Sequence, residues 1–495
     1  MNNGKICVPV CSETADGMIK NIMQAEEFAD VIEVRFDCLA PKEIDAAIGI
    51  NNGSKKPLIV TYRDPAEGGH GTAEFKDRVE FWNKIPLDFG IRDFESDIAS
   101  AATGLNNSIN SFHDFHGVPK NIAEIYEAMF SGADIRKIAV KASDVCDAIP
   151  VWQLLDRAKT DGKGIIPIAM GEAGKWTRIL GLAHGAFLTY ASLDSGKETA
   201  DGQITAKDMV EVYRVKELDR NTRVYGIIGD PVAGSLSPYM LNPAFVDYKI
   251  NAVYLPLLVK DLDAFITRMV KKETREVELD FGGFSVTMPH KQAIMKHLDA
   301  IDPTAEKIGA VNTVGIGDDK LTGYNTDAYG FITPLKERFG DLKDAHVAVF
   351  GAGGAARACI YALKGEMADV TVFARDVQKA ESLGEEFDAE YAEIGRADLQ
   401  DFDIVVNTTP LGMKGPLEND SLFTAEQLKG VKFVYDLVTR STDTPIICEA
   451  KKTGILAIDG FEMLIAQGAK QFEIWTGREA PVELMRNSLL SRNGS

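Results

Sequence analysis

Eight short β-rich runs recur through the first 193 residues: KICVPVC, VIEVRFDCL, PLIVTYR, FGIRDFE, SINSFHDF, IRKIAVKA, GIIPIAMG and GAFLTYASL. Between most of them lie helical patterns such as DGMIKNIMQAEEFA, AEFKDRVEFWNKI, NIAEIYEAMFSG and VWQLLDRAKTDG. Their apolar residues recur at three- and four-residue steps, with turn residues behind them. Eight strand-then-helix units in roughly 215 residues match the length of a (β/α)8 barrel, with a doubly wound open sheet as the alternative.

The whole chain has 495 residues, more than one hydrophobic core supports, so further domains are expected. With 45% hydrophobic and 26% charged residues it reads as globular. No apolar run approaches the ~18 residues of a membrane span. The N-terminal MNNGKICVPVCSETADG has neither an apolar signal core nor an Arg-rich presequence, so a soluble, cytoplasmic protein is expected. A formal net charge of −20 argues against nucleic acid or an anionic membrane as the main partner. The expected partners are small molecules, and any anionic ligand must be held by a few local cations. The six cysteines are scattered, without a CxxC pair or paired Cys/His clusters, and read as reduced thiols.

In VIEVRFD, a period of two sets Ile32, Val34 and Phe36 on one face and Glu33, Arg35 and Asp37 on the other. The charged row is expected to point into the barrel, either as an internal ion pair or as the lining of a polar cavity. Other polar groups fall at strand ends: Arg63 and Glu67, His113 and His116, Lys137 and Lys141, then Met170 with Arg178. The two histidines lack a third ligand at zinc spacing, so proton transfer is preferred and no metal is expected. A lysine inside an apolar barrel is disfavoured as an ammonium, which frees its amine for attack on a ketone. A nearby histidine suits removal of the proton beside the iminium carbon, with Glu67 positioned to hold it. Spacing leaves Lys137 and Lys141 equally eligible.

These residues resemble type I 3-dehydroquinate dehydratase. The likeness rests on ExRxD (Glu33, Arg35, Asp37), YR…EGG (Arg63, Glu67), SFHDF (His113), GADIRKIA (Lys137), MGxxGxxTR (Met170, Arg178) and GQ (Gln203). The resemblance implies a Schiff base on Lys137, general acid/base work by His113 and orientation of His113 by Glu67. It also implies that Arg178 binds the substrate carboxylate and that Gln203 closes over the ligand. Glu33, Arg35, Arg63 and Thr199 complete the implied substrate set, Thr199 standing where the family pattern has serine.

After the charged stretch KELDRNTR a new strand, VYGIIGD, begins, which puts the domain boundary near residue 221. HVAVFGAGGAARACIYAL then reads as strand, glycine-rich turn and helix, with Gly351, Gly353 and Ala356 satisfying GxGxxA. The following strand ends at Ala374 and Arg375, which favours a 2′-phosphate and hence NADP, although Asp376 is one step away. GFSVTMPHKQAIMKHLD places Lys291 where an extended run is expected to turn into an amphipathic helix.

GSLSP (Ser235, Ser237), VTMPHK (Thr287, Lys291), GAVNT (Asn312), GYNTD (Asp327), NTTPLGM (Asn407, Met413) and DGFEMLIAQ (Met463, Gln467) contain residues common in turns and caps. Together with a nucleotide fold they resemble shikimate dehydrogenase. The resemblance implies substrate contacts from Ser235, Ser237, Thr287, Asn312 and Gln467, with Lys291 and Asp327 flanking the reacting oxygen. It implies NADP contacts from Gly351, Gly353, Gly354, Ala355, Ala356, Arg375, Asn407, Thr408, Met413, Gly460 and Met463. One departure follows VKFVYDLV, where many members carry Tyr and this chain reads Thr439, Arg440, Ser441.

The expectation is therefore an α/β chain with a TIM barrel at residues 1–220, followed by a two-lobed shikimate dehydrogenase module at 221–495. The substrate lobe would be 221–330 plus 461–495, and the Rossmann-type NADP-binding lobe 331–460. The chain would dehydrate 3-dehydroquinate and reduce the product to shikimate. A quinate/shikimate dehydrogenase fusion would alter Ser237 or Thr287, and a non-catalytic repressor built from the same modules would lose catalytic residues. All of these residues are present.

Overall fold

A computed structural model describes residues 2–70, 74–101, 107–129, 131–440 and 442–493. The chain divides into two compact units: Met1–Gly226, Asp230–Gly234 and Asn251–Phe281 in one, and Ile227–Gly229, Ser235–Ile250 and Gly282–Ser495 in the other.

Each of the eight runs contains a strand: β1 (Ile6–Val10), β2 (Val31–Arg35), β3 (Leu58–Thr61), β4 (Ile91–Glu95), β5 (Ser108–Asp114), β6 (Ile135–Lys141), β7 (Gly164–Met170) and β8 (Thr189–Tyr190). They form one sheet in the order β7-β6-β5-β4-β3-β2-β1-β8, with every neighbouring pair parallel. Across the remaining seam the Phe187 N–H donates to the Ile165 carbonyl at 2.8 Å, so the barrel is nearly closed. Alternation sorts the side chains. Cys7, Val31, Ile59, Ile109, Ile135 and Ile166 share an apolar cluster, whereas Glu33 and Arg35, two and four residues beyond Val31, are buried further along β2. The interior is thus apolar at one end and charged toward the C-terminal ends of the strands.

The next six strands are β9 (Arg223–Gly229), β10 (Ala252–Leu258), β11 (Phe281–Val286), β12 (Ala300–Ile301), β13 (Thr313–Gly317) and β14 (Lys320–Tyr324). They form a sheet in the order β10-β9-β11-β13-β14-β12. The segment after β11 departs from the expected amphipathic helix. Lys291 lies in a turn, and only Ala293–His297 is helical, as a 3₁₀ turn. The Lys291 carbonyl accepts from the Val311 N–H at 2.8 Å, so it is used in tertiary structure rather than in a helix ladder.

In the second unit, β15 (His346–Phe350), β16 (Asp369–Ala374), β17 (Glu390–Glu393), β18 (Ile404–Asn407), β19 (Phe433–Asp436) and β20 (Leu456–Ile458) form an all-parallel sheet. Its order, β17-β16-β15-β18-β19-β20, is that of a Rossmann sheet, whose ligand crevice opens beyond β15 and β18 where the order reverses. Val347 and Val349 pack into one cluster and Ala348 and Phe350 into another. Burial on both faces explains the unbroken apolar run of β15.

Candidate active sites

Lys137 projects from β6 into a cavity also lined by Glu33, Arg35, Arg63, Glu67, His113, Arg178, Thr199 and Gln203. Its Nζ donates to Asp93 Oδ2 at 2.8 Å and Tyr190 Oη at 3.1 Å, and lies 3.6 Å from Glu33 Oε1. This corrects the expected apolar setting, because the lysine sits in a charged network. Arg63 belongs to the same network through Asp93 at 2.8 Å and Glu95 at 2.7 Å. Lys141 instead pairs with the exposed Asp201. Geometry therefore separates two lysines that spacing could not.

His113 Nδ1 lies 2.9 Å from Glu67 Oε2, and that oxygen also accepts the His113 backbone N–H at 3.1 Å. An oxygen already acting as acceptor is best matched by Nδ1–H, which leaves the Nε2 lone pair available. Burial, then the Arg63 and Lys137 cations, hold the imidazole well below its usual pKa, so it is neutral near pH 7. Burial and the neighbouring Glu95 charge raise Glu67 from 4.5 to about 8.

Arg178 is 2% exposed, and among the described residues no carboxylate pairs with it. One guanidinium nitrogen reaches the Tyr190 carbonyl at 3.5 Å and Nε has no partner. Burial lowers its pKa from 12.5 to about 10. Arg35 is instead neutralised by Asp37 through bonds of 2.9 and 2.8 Å. Thr199 and Gln203 bond each other, the Thr199 N–H reaching Gln203 Oε1 at 2.8 Å. His116 is exposed, whereas Met170 is buried in the barrel cluster.

The cysteine reading is corrected in two respects. Cys11 and Cys38 form a disulfide with Cα atoms 5.5 Å apart, and His70 makes a close Cys/His group with them. Adjacent parallel strands bring together residues separated by 27 positions. Cys7, Cys146, Cys359 and Cys448 are free.

In the second unit, Lys291 Nζ donates to Asp327 Oδ2. Asp327 Oδ1 accepts from Asn312 Nδ2 at 2.7 Å, and Asn312 Oδ1 accepts the Thr326 N–H at 2.8 Å. Thr313 extends this network to Gln471, whose Nε2 donates to the Thr313 hydroxyl at 3.0 Å. The glycine turn reaches the same place: a Cβ on Gly354 would lie 3.3 Å from Lys291 Cδ. Gly351, at φ +118°, is within 2.2 Å of Thr408 Oγ1 by the same measure, so only glycine fits. Gly353 caps the helix Gly354–Gly365, which includes Ala355 and buried Ala356.

Ser237 begins the helix Ser237–Asp247, and its N–H donates to Ser235 Oγ at 3.3 Å. Thr287 packs against Gly229, and Gln467 against Gly330. Asn407 donates to Asp436 at 2.8 Å, Met413 is exposed, and Gly460 abuts Thr439 Oγ1. Met463 is buried in the apolar core of the Rossmann sheet. Arg375 is exposed at the end of β16, while Asp376 caps the helix Val377–Phe387 by accepting from the Lys379 N–H. Lys379 is a second exposed cation there, its Nζ 3.8 Å from Asp376 Oδ2. Arg440 donates to the carbonyls of Gly412 at 3.2 Å and Glu418 at 2.9 Å, and Ser441 lies outside the described residues.

The sequence reading missed Asp93, Glu95, Tyr190, Lys379 and Gln471. In FGIRDFE the period of two already places Asp93 and Glu95 on one face, as it does Glu33 and Arg35. Lys379 stands four residues after Arg375, one helical turn into the cap. Tyr190 and Gln471 carry no comparable local signal.

These two sites define a class, an α/β barrel with a buried lysine and a histidine in its cavity, joined to a dinucleotide-type fold with a lysine–aspartate pair at its glycine turn. Family models match in the same order: type I 3-dehydroquinase at residues 6–220, shikimate dehydrogenase substrate binding domain at 227–314, shikimate/quinate 5-dehydrogenase at 334–431 and shikimate 5′-dehydrogenase C-terminal domain at 460–490. An Arabidopsis thaliana relative described as bifunctional 3-dehydroquinate dehydratase/shikimate dehydrogenase, chloroplastic, is 33% identical over 98% of this chain and 84% of its own. An NADP(+) shikimate dehydrogenase of Methanocaldococcus jannaschii is 39% identical over 56% of this chain and 99% of its own. A crystal structure of shikimate dehydrogenase (AROE or MJ1084) with NADP+ covers 56% of this chain and 97% of that one, at 37% identity and a TM-score of 0.51. The chain belongs to the bifunctional 3-dehydroquinate dehydratase/shikimate dehydrogenase family.

Proposed function

We propose that Lys137 is the Schiff-base lysine and His113 the general acid/base of the dehydration, with Glu67 orienting His113. The Lys137 amine attacks the ketone, and loss of water gives the iminium. His113 Nε2 removes the adjacent proton, then returns it to the departing hydroxyl, and water hydrolyses the product iminium to release the ketone and the Lys137 amine. Arg178 binds the substrate carboxylate, and its burial without a counter-ion is the observation that carries this reading. Glu33, Arg35, Arg63, Thr199 and Gln203 complete the cavity. Borohydride added with 3-dehydroquinate tests this: an adduct on Lys137 is expected, and one on Lys141, or none, overturns it.

Lys291 protonates the carbonyl oxygen during reduction, aimed by Asp327, which Asn312 holds in turn. NADPH, when bound, supplies the hydride. Gly351, Gly353, Gly354, Ala355 and Ala356 leave room for its pyrophosphate at a helix N-terminus. Arg375 and Lys379 take the 2′-phosphate, and Asn407, Thr408, Met413, Gly460 and Met463 form or support the remaining walls. Ser235, Ser237, Thr287 and Gln467 bind shikimate. The barrel domain is assigned to residues 1–220 and the dehydrogenase to 221–495, with lobes at 221–330 plus 461–495 and at 331–460. The net charge of −20 supports small molecules as partners rather than nucleic acid or membrane.

A further inference from the structure

Cys11 lies just beyond β1 and Cys38 at the end of the 3₁₀ turn Phe36–Cys38 that follows β2. Their disulfide therefore joins two neighbouring loops at the C-terminal face, where the catalytic cavity opens. Cys11 is half-buried and Cys38 is 9% exposed. Exposed His70 brings a ring nitrogen within 4.8 Å of both sulfurs. Asp37 connects this group to the cavity. It immediately precedes Cys38, accepts the His70 N–H at 2.9 Å, and holds Arg35 by bonds of 2.9 and 2.8 Å. A partly accessible disulfide beside an imidazole and an active site fits exchange better than permanent cross-linking.

We propose that Cys11 and Cys38 are a reversible thiol–disulfide switch on the dehydratase cavity, exchanging with a low-molecular-weight thiol such as glutathione. The proposal deepens the assignment of that cavity and rests on it. In the reducing direction a glutathione thiolate attacks Cys11 Sγ, the protein S–S bond breaks, and Cys38 leaves as a thiolate. A second glutathione thiolate attacks the glutathione sulfur of the mixed disulfide and releases Cys11. The protein sulfurs gain two electrons and two protons, and two glutathione thiols become one oxidised glutathione. His70 keeps a ring nitrogen beside the exchanging sulfurs. Once the bond opens, the turn carrying Asp37 loses its tether to the first loop, and the Asp37–Arg35 pair loses its fixed position. Arg35 lines the cavity from β2, next to the tethered turn, whereas Lys137 and His113 line it from β6 and β5. Reduction therefore acts on substrate affinity more than on chemistry.

The test equilibrates the full chain with glutathione from fully oxidised to fully reduced. Native alkylation with mass spectrometry then follows Cys11 and Cys38, while 3-dehydroquinate dehydration and shikimate oxidation by NADP are assayed on the same samples. The two cysteines are expected to become alkylatable together. The KM for 3-dehydroquinate should rise about three- to tenfold, with kcat within about twofold and shikimate oxidation unchanged. Cys11→Ser and Cys38→Ser should show the reduced-form KM at every ratio, and His70→Ala should slow exchange without moving its end points. A pair that resists alkylation in reduced glutathione, an opened pair with unchanged KM, or serine variants that still respond would overturn the switch. Absence of dehydration even in the oxidised chain would instead overturn the assignment of the cavity.

Discussion

Replacing Arg178 with methionine should make the unliganded barrel more stable while disabling its substrate site. The guanidinium is fully enclosed, and its pKa falls from 12.5 to about 10, chiefly through burial. At about 1.36 kcal/mol per pKa unit, the charged form costs about 3 kcal/mol in the folded chain. Its bond to the Tyr190 carbonyl is long, at 3.5 Å, and returns little of this. Methionine fills most of the same volume without a charge. After the packing loss, a net gain of about 1–2 kcal/mol is expected, or about 2–8 °C in the barrel transition. The substrate loses a charge-assisted partner worth about 1.5–3 kcal/mol, so kcat/KM should fall about 10- to 150-fold, mostly through KM. Calorimetry with and without ligand, together with steady-state kinetics, reads both effects. The ligand-induced rise in Tm should disappear in the variant. A lower Tm with nearly normal kcat/KM would make Arg178 a structural residue and refute this reasoning.

His113→Ala should keep borohydride trapping on Lys137 while nearly abolishing turnover, because imine formation and proton abstraction are separate steps. Glu67 has a folded pKa raised from 4.5 to about 8, so the stability of its neutral form is present below pH 4.5 and lost as the pH rises through about 8. Glu67→Gln should therefore gain stability relative to wild type across that window in denaturant titrations, with kcat reduced less than about tenfold because an amide oxygen still accepts from Nδ1–H. Thr439→Tyr should lower the KM for shikimate by less than about tenfold at similar kcat. Arg440→Ala should instead raise the KM for NADP, because Arg440 is bonded to the 412–418 loop. A large loss confined to shikimate binding in that variant would give Arg440 the substrate role. Cutting between residues 220 and 221 should leave two active pieces. The barrel should melt about 5 °C lower, since the Arg214 bond to the Ala252 carbonyl and the Lys260 bond to Asp144 are lost. Inactive pieces would contradict the proposed boundary.

Alternation made the barrel legible, because β2 had to bury Ile32 and Val34 on one side and Glu33 and Arg35 on the other. The same rule applied to β4 would have found Asp93 and Glu95. The true setting of Lys137 depended on those residues and on Tyr190, which arrives from β8. Spacing had no access to distances between strands. The same limit hid the disulfide, since Cys11 and Cys38 become neighbours only when β1 pairs with β2. Around Lys291 the motif was readable but its local structure was not, because Val311 takes the carbonyl that a helix would have used. Arg375 was informative on its own. The use of Asp376 as a helix cap could be seen only in the structure.

The most direct test supplies the full chain with 3-dehydroquinate and NADPH and follows dehydration and NADPH oxidation together. Wild type should dehydrate the substrate and then consume NADPH. Lys137→Ala should do neither with 3-dehydroquinate yet still reduce added 3-dehydroshikimate, while Lys291→Ala should accumulate 3-dehydroshikimate without consuming NADPH. NADPH consumption by Lys137→Ala with 3-dehydroquinate, or loss of both activities in either single variant, would contradict the assignment of two separate sites.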